Sequence, residues 1–173
     1  MKRVIAIIIS VMSLTSFAQD QSTVSKGDFG LGIGLDYGGF GGRVAFHPAP
    51  KVGLFGGLGY NLAGAGYNVG AAWRISPDKQ TCPTLGVMYG YNGVIVVEGA
   101  SQYNKIYYGP SLAAGLEFHS KRKNGNYFNV ELVVPFRPQA FTDDLNTLKN
   151  NPAIQFKNEP WPVAISLGYH WAF

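Results

Sequence analysis

Few groups able to do chemistry are spread along this chain: Arg43, Arg74, Glu117, His119, Glu131, Arg137 and His170, with His47 beside them, set among glycine, alanine and large apolar residues. Imidazoles next to carboxylates pass protons near neutral pH, and guanidinium groups hold carboxylates in fixed geometry. Such a set can serve as a proton-transfer or catalytic centre, as the lining of a narrow solute passage, or as a paired network holding a polar interior. The network is the expectation, because a charge buried without a partner is expensive and both signs are supplied here. Glu131 is expected close to His119 if the stretches that carry them form a hairpin.

Other chemistries lack their motifs. His47, His119 and His170 lie far apart without compact ligand spacing, so no metal site is assigned. Cys82 is the single cysteine, which excludes an intrachain disulfide, and beside Pro83 it reads as a bystander thiol in a turn. The stretch "GLGIGLDYGG" is as glycine-rich as a dinucleotide fingerprint, yet Gly30, Gly32 and Gly34 alternate within an extended segment rather than opening a helix. No catalytic residue and no cofactor is expected, and the chain is not read as an enzyme.

The elements that must position these residues are eight alternating stretches. The first sets Phe29, Leu31, Ile33, Leu35 and Tyr37 against Asp28, Gly30, Gly32, Gly34 and Asp36. The second sets Phe40, Val44 and Phe46 against Gly41, Arg43, Ala45 and His47, and the third Leu54, Leu58 and Tyr60 against Phe55, Gly57 and Gly59. The fourth opposes Tyr67, Val69, Trp73 and Ile75 to Asn68, Gly70 and Arg74, and the fifth Leu85, Val87, Tyr89 and Tyr91 to Gly86, Met88 and Asn92. In the sixth, Tyr108, Leu112, Leu116 and Phe118 oppose Tyr107, Ser111, Glu117 and His119. The seventh opposes Phe128, Val130, Leu132, Val134 and Phe136 to Asn129, Glu131, Val133 and Arg137. The eighth, "AISLGYHWAF", places Ile165, Leu167, Tyr169, Trp171 and Phe173 on one side and Ser166, Gly168 and His170 on the other.

Composition indicates what each face meets. Glycine makes up 23 of 173 residues, and charged residues are only 14%, well below the ~25% of ordinary globular chains. A soluble sandwich would put Lys, Glu, Ser and Thr opposite its apolar face. Here the second face is mostly Gly, Ala, Ser and Asn with isolated charges, which suits the inside of a narrow closed barrel whose apolar face touches lipid. The expected fold is therefore all-β: an eight-stranded antiparallel transmembrane β-barrel of up-and-down topology. After the first residues no run reaches 18 uncharged apolar positions, so helical spanning is excluded.

Residues 1–18, "MKRVIAIIISVMSLTSFA", read as a cleaved secretory signal: two basic residues, a short apolar run, then small residues at the cut. Residues 19–27 then form a periplasmic lead and 28–173 the barrel. Without Lys2 and Arg3 the basic count falls from 14 to 12 against 10 acids, a net charge of about +2. Lys121, Arg122 and Lys123 form the only basic run, in a turn, so nucleic acid is not an expected partner. With both ends in the periplasm, Phe46, Trp73, Phe118, Phe128, Trp171 and Phe173 would form the lower aromatic belt. Tyr37, Phe40, Tyr60, Tyr67, Tyr89, Tyr91, Tyr108 and Phe136 would form the upper one.

The connections follow the same logic. Gly38-Gly39 is expected as a two-residue hairpin turn, and a loop of three or five residues is expected around Asn124-Gly125. The upper links lengthen from "GG" through "LAGAG" and "GVIVVEGASQYNK" to roughly 25 residues between Arg137 and Pro162. In the last, Phe141, Leu145 and Leu148 have helical spacing, with Thr142 available as N-cap. Those three residues are the candidates for contact with the outer leaflet, the barrel mouth or a protein partner. Val94–Val97 suggests a ribbon continuing above the fifth and sixth stretches, with an edge that could pair with a partner strand.

The pattern from Asp28 to Phe173 resembles the small eight-stranded outer-membrane barrels, the group of the membrane domain of outer-membrane protein A, outer-membrane protein X and the PagL-like lipid A deacylases. Ser166, Gly168, Trp171 and Phe173 are similar, in register, to the terminal signal read by the barrel-assembly machinery. The resemblance implies a location in the bacterial outer membrane, with its lipid and lipopolysaccharide as surroundings, but no activity. The deacylase pattern implies a His, a Ser two residues later and a downstream Glu. His119 and Ser120 are adjacent instead, so they face opposite ways, and they fall at the periplasmic end. The expected function is a monomeric barrel with a structural or surface-interaction role, a porin-like narrow solute channel or a lipid A-modifying enzyme being the alternatives.

Overall fold

The structure is a computed structural model that describes residues 25–97, 103–121, 125–150 and 160–173. The segment read as a signal peptide, and Arg122 and Lys123 of the basic run, lie outside the described residues. Where large apolar and small side chains alternate, the backbone is extended: β1 Gly27–Gly34, β2 Gly39–Ala49, β3 Val52–Tyr60, β4 Ala65–Arg74, β5 Thr81–Ile95, β6 Lys105–His119, β7 Tyr127–Pro135 and β8 Ala164–Ala172. Each strand pairs antiparallel with its sequence neighbour, and β8 returns to β1 through Asp28↔Ala172 to Ile33↔Leu167, closing the barrel. Within the barrel body closure leaves no unpaired edge.

The alternation is realised around the whole ring. Phe29, Leu31, Ile33, Val44, Leu54, Leu58, Val69, Val87, Leu112, Leu132, Ile165 and Leu167 point outward and are exposed, whereas Asp28, Arg43, Asn68, Arg74, Ser111, Glu117, Asn129, Glu131 and His170 are buried inside. Phe29 and Trp171 stack across the β1–β8 seam with centroids 6.2 Å apart.

The first hairpin departs from expectation. It is not a two-residue Gly-Gly turn: Gly34 pairs with Gly39, and Leu35–Gly38 forms a four-residue turn closed by Gly38 N–H to Leu35 C=O at 2.9 Å. Gly34, with φ +146°, leaves the strand conformation, and the turn bends into the barrel. Leu35 and Tyr37, expected outside, are therefore inside, and Tyr37 is fully buried. Tyr91, expected in the upper belt, is also buried, because β5 carries an irregularity between Tyr91 and Gly93. With Tyr91 gone from the outer face, Tyr67 and Tyr108 meet across the gap at 5.0 Å.

Smaller corrections concern element ends. Cys82 lies in β5 opposite Glu117, not in a turn, and is buried. The β6–β7 turn is closed by Ser120 N–H on the Asn126 carbonyl at 2.8 Å, which leaves five residues between them, one of the expected lengths; the register, with His119 opposite Tyr127, centres it two residues before Gly125. Beyond the barrel body β5 and β6 continue as the expected ribbon, paired out to Ile95↔Lys105. Helix α1, Gln139–Lys149, starts a turn before Thr142, with Pro138 at the N-cap and no side-chain cap. Proline's fixed φ and the extended conformation of Pro138 set the entry without needing a capping hydroxyl. Phe141 is buried between Ile95 and Tyr107, with Leu145, Leu148 and Val97 packed around them, so the helix covers one face of the ribbon.

Candidate functional site in the barrel interior

Among the described strand residues, all the Asp, Glu, Arg and Lys side chains except Lys105 of the ribbon point inward and are buried: Asp28, Arg43, Arg74, Glu117 and Glu131. The two-residue period aims them there, and glycines opposite give them room. Two layers of contacts result.

The layer nearer the loop end centres on Arg43 of β2. Its Nη1 donates to Asp36 at 2.7 Å and to Glu131 of β7 at 3.1 Å, and its guanidinium lies 4.0 Å above the centre of the Phe55 ring. One cation thus bridges the inward turn, β2, β3 and β7. Tyr37, at the tip of the turn, places its hydroxyl 2.9 Å from Asn129 Oδ1 and 2.6 Å from His170 Nε2. Asn129 Nδ2 in turn donates to Glu131 at 3.1 Å. The Asn68 amide donates to the carbonyls of Leu35, at 2.5 Å, and Tyr91, at 2.9 Å, which pins both departures from the strand pattern.

The layer nearer the termini holds two carboxylates. Asp28 accepts from His47 Nε2 at 2.7 Å and His170 Nδ1 at 2.7 Å, and from the Tyr127 hydroxyl at 3.0 Å. Glu117 accepts from Arg74 at 3.0 Å and His119 at 3.0 Å. Tyr127 stacks flat on His170, with centroids 4.4 Å apart and planes within 4°. An open cavity of about 600 Å³ at this end is lined by Asp28, His47, Arg74, His119 and Tyr127, among others.

The layers join through His170, whose Nδ1 faces Asp28 while its Nε2 faces Tyr37. Tyr37 has one proton for two neighbours. A neutral His170 accepts it. A doubly protonated His170 donates to Tyr37, which then donates to Asn129. The chain Asp28–His170–Tyr37–Asn129–Glu131–Arg43–Asp36 can orient and hold protons, but its middle is sealed from solvent and offers no space for a substrate beside Tyr37.

Of the residues expected in the network, Arg43, Arg74, Glu117, His119, Glu131 and His170 are brought into it. Glu131 is not beside His119: it pairs with Gly115 and meets Arg43, while His119 is opposite Tyr127 and turns to Glu117, because the register centres the turn two residues before Gly125. Arg137 is outside the network; beyond the end of β7, its guanidinium lies 5.0 Å from the Phe141 ring centre and donates to the Trp161 carbonyl at 2.6 Å. Phe141, Leu145 and Leu148 are occupied by contacts within the chain. Asp28, Asp36, Tyr37, Tyr127 and Asn129 went unselected. The alternation already placed Asp28, Asp36 and Asn129 on the inner face; Tyr127 begins β7 one residue before the stretch as read, and the turn's direction hid Tyr37. Compared with known proteins, the chain matches no family model, no curated protein and no solved structure.

Proposed function

We propose that this chain is an integral β-barrel of the bacterial outer membrane, with both termini in the periplasm and a structural or surface-interaction role carried by the parts that extend past the barrel at the loop end. The observation that supports it is the inversion of the closed barrel: charges buried inside, and a continuous ring of Leu, Ile, Val, Phe, Tyr and Trp exposed outside. Soluble monomers rarely expose apolar patches larger than a few hundred Å². Lipid is the solvent that makes such a surface favourable, and a closed barrel is one of the two backbone solutions lipid permits. No described helix is long and apolar enough to cross a membrane, and a chain that crosses with strands needs none.

On this reading residues 1–18 are a signal peptide, and Ser166, Gly168, Trp171 and Phe173 are read by the assembly machinery. The same reading includes no enzymatic activity; in its support, the interior carboxylates are each engaged by donors and Glu131 meets Arg43 rather than His119. At rest the barrel is closed to solutes, since Tyr37, Arg43, Phe55 and His170 occupy its interior. Helix α1 on the β5–β6 ribbon offers the relief that a partner at the cell surface would recognise.

The test is expression of the full chain with its membrane fraction assayed for a heat-modifiable, detergent-extracted band, followed by crosslinking with and without the ribbon tip and α1. A water-soluble folded protein, an altered lipid A mass on overexpression, or a crosslinking pattern indifferent to both loops would overturn the proposal in turn as to place, enzymatic silence and role.

A further inference from the structure

We infer that the turn Leu35–Gly38 is a displaceable plug, and that the barrel passes small hydrophilic ions when the turn leaves the interior. This rests on the membrane reading above and adds a transport function to it.

The seat is the first observation. An eight-stranded barrel ordinarily fills its interior with side chains from its own strands. Here the inner walls of β1, β2, β3 and β8 are bare where the turn lies. A Cβ on Gly32 or Gly168 would overlap the Tyr37 ring or hydroxyl, and one on Gly57 or Gly59 would overlap the backbone of Asp36 and Tyr37. Where the strands offer only glycine, the filling thus comes from one loop, set beside the side chains the other strand positions supply. Leu35 completes it on the far side, in a cluster with Phe55, Met88, Tyr91 and Val133.

The attachment is the second. The turn is joined through Gly34 on one side and Gly38-Gly39 on the other, all at positive φ, so both ends can swing without a side chain to clear. The turn itself is not part of a strand. Its polar anchors are the Tyr37 hydroxyl on His170 and Asn129, Asp36 on Arg43, and the Leu35 carbonyl on Asn68. Each partner keeps another on withdrawal: Arg43 holds Glu131, His170 holds Asp28, Asn129 holds Glu131 and Asn68 holds the Tyr91 carbonyl. No charge is stranded by the movement.

What lies beyond is the third. Tyr37 is separated by His170 alone from Asp28, which lines the open cavity at the termini end. Withdrawal of the turn would leave a narrow passage along the glycines it now covers, walled by Arg43, Phe55, Asn68, Asn129, Glu131 and Ser166, with the His170 ring between it and that cavity.

The experiment replaces the four residues of the turn by Asn-Gly. A two-residue hairpin preserves the Gly34↔Gly39 pairing, so the register of the barrel is kept. Wild type, the shortened barrel and Tyr37→Phe are first scored for bilayer insertion and heat-modifiable migration, then recorded in planar bilayers. The shortened barrel is expected to show unitary conductance steps in most insertions, and wild type rare openings of the same size. Tyr37→Phe, which keeps the ring but loses both hydroxyl contacts, is expected to open about tenfold more often than wild type. An inserted, folded, shortened barrel that stays silent overturns the plug, as does a wild type that never opens or a Tyr37→Phe indistinguishable from it. Failure of every form to insert overturns the membrane reading instead, and the order of the two measurements separates the failures.

Discussion

Arg43 is the residue on which the interior depends most. Its Nη1 is the single cationic contact shared by two buried carboxylates, Asp36 and Glu131. Arg43→Met removes the cation and leaves both acids facing each other away from water, a loss expected at about 3–5 kcal/mol for breaking one side of a buried pair. Urea unfolding of the barrel in detergent micelles reads this directly, and a change within error would mean that water reaches the pair. Gly168→Ala tests the close approach of Tyr37, whose hydroxyl occupies the place of the added methyl. Overpacking of this kind costs about 1–3 kcal/mol, and the penalty should fall in a Tyr37→Ala background to what the Asn129 Oδ1, the remaining near neighbour, imposes, the difference being the double-mutant coupling. The inward aim of Arg43 is legible from the two-residue period. Its partners are not, because Asp36 reaches it only through the bend at Gly34.

At the scale of elements, α1 and the ribbon form the part of the molecule that stands apart from the barrel body. The helix is anchored by Phe141, edge-on to Tyr107 at 5.0 Å, and by Asp144, which accepts from Lys105 at 2.5 Å and Tyr107 at 2.6 Å. Phe141→Ala should free the helix from the ribbon at a cost of about 3 kcal/mol, seen as loss of protection of α1 amides in hydrogen exchange while the strands stay protected. The hydrogen bonds from Lys105 and Tyr107 hold the Asp144 carboxyl below its usual range. A depressed carboxylate contributes its stability above the unfolded pKa of about 4 and loses it as pH falls through the lower, folded value. The α1 amides, corrected for intrinsic exchange, are therefore expected to open more readily at pH 3 than at pH 7, and Asp144→Asn to erase that difference. Since Asp144 is solvent-exposed, added salt should reduce the effect. The spacing of Phe141, Leu145 and Leu148 indicated a helix and an apolar stripe. That the stripe is met by the chain's own ribbon was not legible, because Ile95 and Tyr107 approach it only after β5 and β6 outrun the other strands.

The whole molecule is an interior and an exterior exchanged. An arginine placed on the outer face at mid-height tests this: Leu112→Arg should destabilise the barrel in bilayers by about 2–4 kcal/mol, and far less in a position near either rim. Partition of the reversibly folded variants between bilayer and urea measures it, and indifference to the charge would mean that Leu112 faces water. Strand number, antiparallel order and the facing of nearly every strand residue follow from the sequence alone, because a period of two leaves one bulky and one small face and only closure hides every backbone edge. The length of the first hairpin and the centre of the β6–β7 turn were settled by three dimensions, and with the latter the partners of Glu131 and His119. So was the fate of Leu35, Tyr37 and Tyr91: alternation says nothing about where a strand ends or bends. The physical reason is that a turn's direction depends on the space offered by strands remote in sequence, here the glycines of β1, β2, β3 and β8, which exists only once the barrel has closed.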